Sequence, residues 1–372
     1  MKNAVIIGGG LAGLVTSIRL ARGGISCTMI ERRAYPFHRV CGEYVSNETL
    51  PFLYRENLFP HEFQPPLIDQ FQLSSVKGEF RKVYLESGGF GISRYNFDNF
   101  LYQTARALGV EVLLQQEVSS VRLMNGEMKF VITTDRQEII ADFVVGAFGK
   151  RSRLDATLNR KFLRKRSPFV GVKYHIRTNH PDRLIALHNF SGGYCGISNI
   201  EGGKTNLCYL VHRDKVKACG SIRTVEEAVL SVNPHLKEVF SNAEFLFEKP
   251  ETINEISFET KEPVWNHILM AGDAAGMIAP LCGNGMAMAI HAAKLASDLI
   301  LEAERKELPL NWLERSYAHQ WRALFAKRLW IGRMIQNNLF GKAWSSRMAV
   351  ELLMTSGHLT RYIIRNTRGK TF

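Results

Sequence analysis

Two clusters of glycine and acid stand where a chain can hold a phosphorylated, sugar-linked ring. Gly8-Gly9-Gly10-Leu11-Ala12-Gly13 follows the apolar run Ala4-Val5-Ile6-Ile7 and opens a helix-forming stretch, Leu11 to Arg22. In this G-x-G-x-x-G turn Gly8 makes the tight bend, Gly10 lets the main chain approach a pyrophosphate, and Gly13 lets helix and strand pack closely. The diphosphate then rests on free N–H groups at a helix N-terminus. A second apolar strand, Ile25 to Ile30, ends in Glu31, which lies 18 residues past Gly13. That is the spacing of an acid that accepts the ribose hydroxyls. Far along the chain, Gly272-Asp273-Ala274-Ala275-Gly276 is followed by Pro280, Gly283, Asn284 and Gly285. A carboxylate at Asp273, ending a buried strand, suits the hydroxyls of a sugar-alcohol chain. Gly283 and Gly285 open the backbone to a flat ring, and a helix beginning at Asn284 stabilises negative charge developing on it.

A ribityl site beside a diphosphate site means FAD rather than NAD. The elements that must position it read as an α/β chain. Its FAD-binding domain is Rossmann-like, a βαβ unit plus an antiparallel meander. A second, antiparallel-sheet substrate domain and C-terminal helices complete it. The expected strands of the first domain are Ala4–Ile7, Ile25–Ile30, Val110–Leu114, Phe143–Ala147 and Ile268–Ala271. The meander is expected over Val118–Arg122, Lys129–Thr133 and Glu138–Ile140, turning at Asn125-Gly126. Leu73 to Leu85 has strand character, Gly88 to Gly91 reads as a flexible hinge, and Asn96 or Asp98 is the expected cap of a helix from Phe97 to Leu108. Alternating segments from Val170 to Val211, with one helix near Val225–Val232, predict the substrate sheet. A long helix is expected from Asn284 to Arg305. The resulting division is 1–50, 91–165 and 262–310 for FAD, 51–90 and 166–261 for substrate, and a basic helical segment 311–372.

Composition narrows the class. A chain of 372 residues with 45% hydrophobic and 22% charged residues has the core of an ordinary globular enzyme. No signal peptide precedes the first strand, and no apolar run is long enough to span a bilayer, so a cytoplasmic setting is expected. The six cysteines, Cys27, Cys41, Cys195, Cys208, Cys219 and Cys282, form no C-x-x-C pair, which predicts reduced thiols and no metal site. The net charge of +13 is concentrated at one end: residues 315–372 hold eleven Lys/Arg (315, 322, 327, 328, 333, 342, 347, 361, 365, 368 and 370) against Glu351. Trp321, Phe325, Leu329, Trp330, Met334, Leu339, Phe340 and Trp344 are threaded among them. Such a segment suits the inner face of an anionic membrane or a bundle with a basic exterior. Nucleic acid is excluded for want of any recognition module. The oligomeric state is left open, and the expected partner is a small, apolar substrate.

These blocks resemble the FAD-dependent superfamily of para-hydroxybenzoate hydroxylase, and most closely the geranylgeranyl reductase family. Gly272-Asp273 resembles the family's ribityl block, and Val144 to Ser152 its Ala-Asp-Gly-x-x-Ser block. Arg39-Val40-Cys41-Gly42-Glu43 is similar to the Cys-Gly-Gly loop that lies beside the flavin, and Gly91 to Leu108 to the helix whose arginine, here Arg94, contacts the cofactor. The resemblance runs from residue 1 to about 335. It implies cofactor contacts from Gly8, Gly10, Leu11, Ala12, Gly13, Glu31, Arg32, Arg39, Arg94, Gly149, Gly272, Asp273, Pro280, Gly283, Asn284, Gly285 and Met286. Three departures stand out: Phe148 replaces the usual Asp, which weakens the case for NAD(P)H as electron donor; Glu43 replaces a glycine; and Tyr194 to Asn199 keeps only the Tyr of Tyr-x-Trp-x-Phe-Pro.

The resemblance implies hydride transfer from reduced flavin to a carbon–carbon double bond of a lipid-like, prenyl or related substrate. Cys41, Glu43 and Tyr194 are the candidate proton donors. The alternative is a monooxygenase that hydroxylates or epoxidises an aromatic or lipid-like substrate through a flavin hydroperoxide. A halogenase is disfavoured, because no tryptophan sits in a Trp-x-Trp-x-Ile-Pro segment. A non-enzymatic reading makes the basic tail the active surface of a flavin-bearing protein. Lys173 is a weak substrate-contact candidate, and His175 and His188 read as packed or exposed strand residues.

Overall fold

Strand Asn3–Ile7 lies at the centre of a six-stranded sheet, between Phe143–Gly146 and Ser26–Glu31. Ile268–Met270 and Glu111–Leu114 extend it in parallel, and Val264–Trp265 adds an antiparallel edge. The central strands are near-continuous runs of Val and Ile because both faces of a parallel sheet are covered. Helices Leu11–Arg22, Arg94–Ala107 and Gly285–Arg305 and the meander Val118–Leu123, Phe130–Thr134 and Glu138–Ala141 close the same core. This is a computed structural model that describes residues 2–124, 128–339, 343–355 and 369–372. The expected turn at Asn125-Gly126 lies outside the described residues.

A nine-stranded sheet stands beside the first. Its path runs Glu244–Phe245, Phe169–Arg177, Lys204–His212, Gly193–Ile200, Leu184–Phe190, Leu67–Ser74, Phe80–Gly91, Tyr44–Ser46, with Glu251–Asn254 paired to Phe169–Arg177. Because side chains alternate along a strand, its two faces differ. Val172, Ile176, Cys195, Ile197, Leu207 and Val211 pack beneath helices that supply Val225, Leu230 and Leu236. The intervening residues, among them Gly171, Lys173, His175, Tyr194, Gly196, Ser198, Cys208 and Leu210, alternate onto the other face, toward the FAD-binding layer.

Several expectations need correction. Leu73–Leu85 is a hairpin: the turn at 75–79 is closed by Ser75 N–H on Glu79 O at 2.8 Å, with Gly78 at φ +92°. Gly88 to Gly91 is no hinge but the end of a strand, and the glycines serve close approach. A β-carbon on Gly91 would sit 1.9 Å from Asn199 O, and one on Gly89 2.4 Å from the Tyr44 ring. The third helix begins at Arg94 and is capped by Ser93, whose hydroxyl accepts from Asn96 N at 3.2 Å, so neither Asn96 nor Asp98 is the cap. Where one helix was expected near 225–232, helices Arg213–Cys219, Ile222–Ala228 and Pro234–Asn242 cover the sheet. The chain also crosses between the two layers early. Tyr44–Ser46 joins the large sheet, while helix Leu50–Arg55 returns Phe52 and Leu53 to the first core.

Two helices follow Arg305. Leu310–Leu339 buries Leu313, Tyr317, Trp321, Phe325 and Leu329 against the FAD-binding layer, and Tyr317 donates to Met270 O at 2.6 Å. Ala343–Thr355 places Val350 in an apolar cluster with Leu73, Leu187, Tyr194 and Leu210. Residues 369–372 return to the same body, where Gly369 N–H donates to Glu48 at 2.5 Å and Phe372 stacks on His291 at 3.9 Å. Phe340, Lys342, Arg361, Arg365 and Arg368 of the basic segment, and the side chain of Leu339, lie outside what is described. No helix among the described residues is long and apolar enough to cross a membrane.

Candidate active site

Close contacts at Gly8 and Gly13 exclude any side chain there. Gly8 has φ +106°, and a β-carbon there would lie 2.5 Å from Ala147 O; one on Gly13 would lie 1.9 Å from Gly8 O. Gly10 differs, since the nearest atom to its β-carbon position is Arg94 Nη2 at 3.6 Å, which leaves the main chain open to a ligand. Glu31, nearly buried, accepts from Gly9 N at 2.9 Å, Arg33 N at 3.1 Å and Arg39 Nη2 at 3.0 Å. Tyr35 donates its hydroxyl to Gly9 O. These bonds hold the acid at the end of its strand, facing the turn, where a ribose would meet it.

A cleft of about 530 Å³ begins here and continues to Gly272-Asp273 and Gly283–Met286. Every cofactor residue expected from the sequence lines it except Gly13, which sits behind the turn. Gly272 at φ +62° and Gly283 at φ +63° take left-handed conformations that favour glycine. The Asp273 turn is held from behind by Lys261, whose ammonium donates to Asp273 O and Lys150 O, both at 2.8 Å. Burial pulls the Lys261 pKa down to about 8, against the pull of Asp155 and Asp273. The shape and donor set fit FAD, with the diphosphate at the glycine turn and the ribityl chain at Asp273. When bound, FAD supplies the two-electron chemistry.

The loop that carries Cys41 and Glu43 crosses between the two layers, and its carbonyls are held in sequence. Lys173 Nζ donates to Arg39 O at 3.2 Å, Lys150 Nζ to Val40 O at 3.0 Å and Asn206 Nδ2 to Cys41 O at 3.2 Å. Glu43, at φ +53°, is fully buried between three donors: Lys173 Nζ at 2.5 Å, His175 Nε2 at 2.7 Å and Arg94 N at 2.7 Å. Burial by itself pushes this carboxyl up, but Lys173 and His175 outweigh it and hold the pKa at about 2. Glu43 is therefore neither a surface acid nor a resting proton donor; it is an anion that fixes the loop.

Tyr194 is likewise in use. Its hydroxyl donates to Gln336 Oε1 at 3.0 Å and accepts from Leu281 N at 3.2 Å. Burial and the neighbouring Cys282 push its pKa well above the ordinary phenol value. The side chain ties the large sheet to the flavin-side loop and to the helix Leu310–Leu339. Cys41, by contrast, lines the cleft with its thiol beside Arg94; Glu43 N–H approaches Sγ at 3.5 Å. Arg94 spans this corner: Asp98 fixes it through bonds of 2.6 and 2.7 Å, and Asp98 also receives Arg39 Nε at 3.0 Å. Burial alone would lower the Arg94 pKa, and Asp98 and Cys41 raise it.

Beyond Cys41 the cleft becomes apolar, lined by Phe71, Ile185, Leu187, Leu210, Ile253, Ile256, Met277 and Leu281, with Ser198 and Cys208 among them. The sequence did not mark Lys150, His175, Asp98 or Lys261 as site-forming, and marked Lys173 only as a weak substrate contact, whereas it binds Arg39 O and Glu43. Lys173 and His175 carried a usable signal. They are two apart on one strand, hence on one face, and they put polar side chains opposite the apolar period of Val172, Tyr174 and Ile176 on a strand that is otherwise apolar. His188, expected to be packed or exposed, is buried, bonded to Ser74 Oγ at 2.9 Å and stacked on His235.

Comparison with known proteins agrees with this geometry. The family profile described as FAD binding domain matches residues 1–328. A 1H-pyrrole-2-carbonyl peptidyl-carrier-protein chlorinase of Pseudomonas fluorescens is 24% identical over 85% of this chain and 79% of its own length. Digeranylgeranylglycerophospholipid reductase 2 of Methanopyrus kandleri is 23% identical over 87% of this chain and 83% of its own. The solved structure of the flavin-dependent halogenase CmlS superposes with a TM-score of 0.78 at 19% identity, covering 95% of this chain and 70% of that one. Halogenases and reductases thus stand together among the relatives. Likeness at this level fixes the fold and the cofactor, and leaves the reaction to the site.

Proposed function

This chain belongs to the FAD-binding-domain family, and on that premise we propose that it reduces carbon–carbon double bonds of a lipid-like substrate. It is an FAD-dependent enzyme. The observation that carries the finer reading is the apolar gallery continuous with the FAD cleft, with the Cys41 thiol on its wall. A hydrocarbon chain is the ligand such a lining desolvates without leaving polar groups unpaired. The digeranylgeranylglycerophospholipid reductase relative supports a prenyl chain.

In this reading the chain's own groups divide the work. The glycine turn, Glu31 and Asp273 bind and orient the cofactor. The large sheet and the loop 276–282 exclude water from the gallery. Lys173, Lys150 and Asn206 fix the loop at Arg39, Val40 and Cys41, so the thiol is held at a set position. When bound, reduced FAD would supply a hydride to one carbon of the double bond; Cys41 is placed to give its Sγ proton to the other, and water would return a proton to the thiol. Of the three candidate donors, Glu43 is held as an anion and Tyr194 is committed to Gln336 and Leu281, whereas Cys41 Sγ stands on the cleft wall beside Arg94 and Glu43 N–H.

The same observation gives weight to a second reading. With Glu43 held as an anion and Tyr194 committed, the gallery is apolar and poor in acids, and oxygenation of an apolar substrate needs a dry pocket more than a protein acid. The deciding experiment incubates dithionite-reduced holoenzyme with a geranylgeranylated lipid under argon. A gain of two hydrogens per double bond, lost about 100-fold in Cys41→Ala, supports reduction. Product formed only with oxygen, carrying an oxygen atom from O₂, refutes it in favour of monooxygenation.

A further inference from the structure

The helix Leu310–Leu339 has two faces of opposite use. On the inner face Trp321, Phe325 and Leu329 press on the loop that closes the cleft; a β-carbon on Gly276 would lie 2.9 Å from Leu329 and 3.3 Å from Trp321. On the outer face Leu324, Lys327 and Trp330 follow one another at i, i+3 spacing in solvent, with Trp330 56% exposed. The adjoining helix Ala343–Thr355 repeats the pattern. Its Val350 is buried over the apolar gallery, while Trp344 and Met348, one turn apart, are 62% and 53% exposed on either side of Arg347. A single exposed leucine is ordinary, but two indoles and a thioether on the outside of neighbouring helices are not.

The charge on these helices is mostly positive. Residues 315–372 carry eleven Lys/Arg and one Glu in sequence, four of the eleven outside the described residues, and Arg347 is paired with Glu351 at 3.1 Å. Arg328 is turned inward onto Glu48 at 2.8 Å, whereas Arg315, Arg322 and Lys327 are exposed. We infer that the outer face of these two helices binds the surface of an anionic phospholipid bilayer. Indole rings sit at headgroup depth and Lys/Arg lie against lipid phosphates. No described helix can cross the bilayer, so the contact lies in the plane of the interface. Because the inner faces of the same helices roof the gallery, docking places the gallery beside the lipid. That last clause rests on the lipid-like substrate proposed above; the surface itself does not.

The test uses FAD-loaded full-length protein and vesicles of phosphatidylcholine with or without phosphatidylglycerol, read by sedimentation without turnover. Binding is expected to the anionic vesicles at low ionic strength and to be reversed by added salt. Lys327→Glu is expected to weaken partitioning by about fivefold or more, as loss of roughly 1 kcal/mol per basic residue requires. Trp330→Ala with Trp344→Ala is expected to weaken it further, with the flavin spectrum unchanged. Absence of binding at low salt, equal binding to neutral vesicles, or indifference to these variants overturns the inference. So does a dimer in vesicle-free solution that Trp330→Ala dissociates, since a second copy would then cover the face. Failure here leaves the reductase assay untouched, and the reverse also holds.

Discussion

Replacing Glu43 by Gln tests the idea that this residue is a buried clamp and no acid catalyst. The substitution keeps the volume and an acceptor for Arg94 N, turns an amide N–H₂ toward the His175 ring, and leaves Lys173, with no exposed side-chain surface, without its counter-charge. The lowering of the carboxyl from 4.5 to about 2 corresponds to about 3 kcal/mol, at roughly 1.4 kcal/mol for each pH unit. That figure agrees with the 3–5 kcal/mol typical of breaking one side of a buried pair, so a loss of about 3 kcal/mol is expected. Lys173→Met alone strands the carboxylate and costs about as much. The double variant removes both charges and is expected to recover most of the loss. The assay is urea unfolding of FAD-saturated protein, followed by circular dichroism, across the full cycle. The wild-type contribution is fully present above pH 4.5 and is lost as pH falls through about 2. A loss below about 1 kcal/mol in Glu43→Gln, or a double variant no more stable than the worse single one, refutes the clamp. Normal stability with abolished turnover would instead restore Glu43 as a proton donor.

Gly13→Ala should give colourless, poorly folded protein, because its β-carbon meets Gly8 O at 1.9 Å; Gly10→Ala should fold but bind FAD weakly, as flavin absorbance of the purified proteins will report. Tyr194→Phe should lower stability by about 1–2 kcal/mol through the orphaned Leu281 N–H and leave the pH–rate profile in place; a lost acidic or basic limb would return Tyr194 to catalysis. Burial, with His235 and His180 nearby, lowers His188 from 6.5 to about 3, so its contribution is full above pH 6.5 and fades as pH falls toward 3. His188→Gln should flatten the acid limb of the stability–pH curve over that window, and an unchanged slope would show the ring is protonated in place.

The cofactor site was legible because its requirements are local. A glycine turn between strand and helix, an acid at a fixed spacing and a Gly-Asp at a strand end are each set by backbone geometry over a few residues, and Leu11–Arg22 emerges with the bounds its sequence announces. The Gly88–Gly91 segment was misread for the opposite reason. Its glycines answer to Asn199 and Tyr44, which are distant in sequence, so composition suggested looseness where packing demands contact. The role of Glu43 was hidden in the same way. Whether a carboxyl donates a proton or stands as an anion depends on what faces it when buried, and Lys173 and His175 arrive from a strand 130 residues away or more. The sequence by itself determined the FAD-binding fold and most of the residues that line the cleft. Tertiary structure decided which acids hold the loop, which thiols line the cleft and which aromatic residues remain outside, because burial and long-range pairing, and not residue type, set the environment and exposure of each.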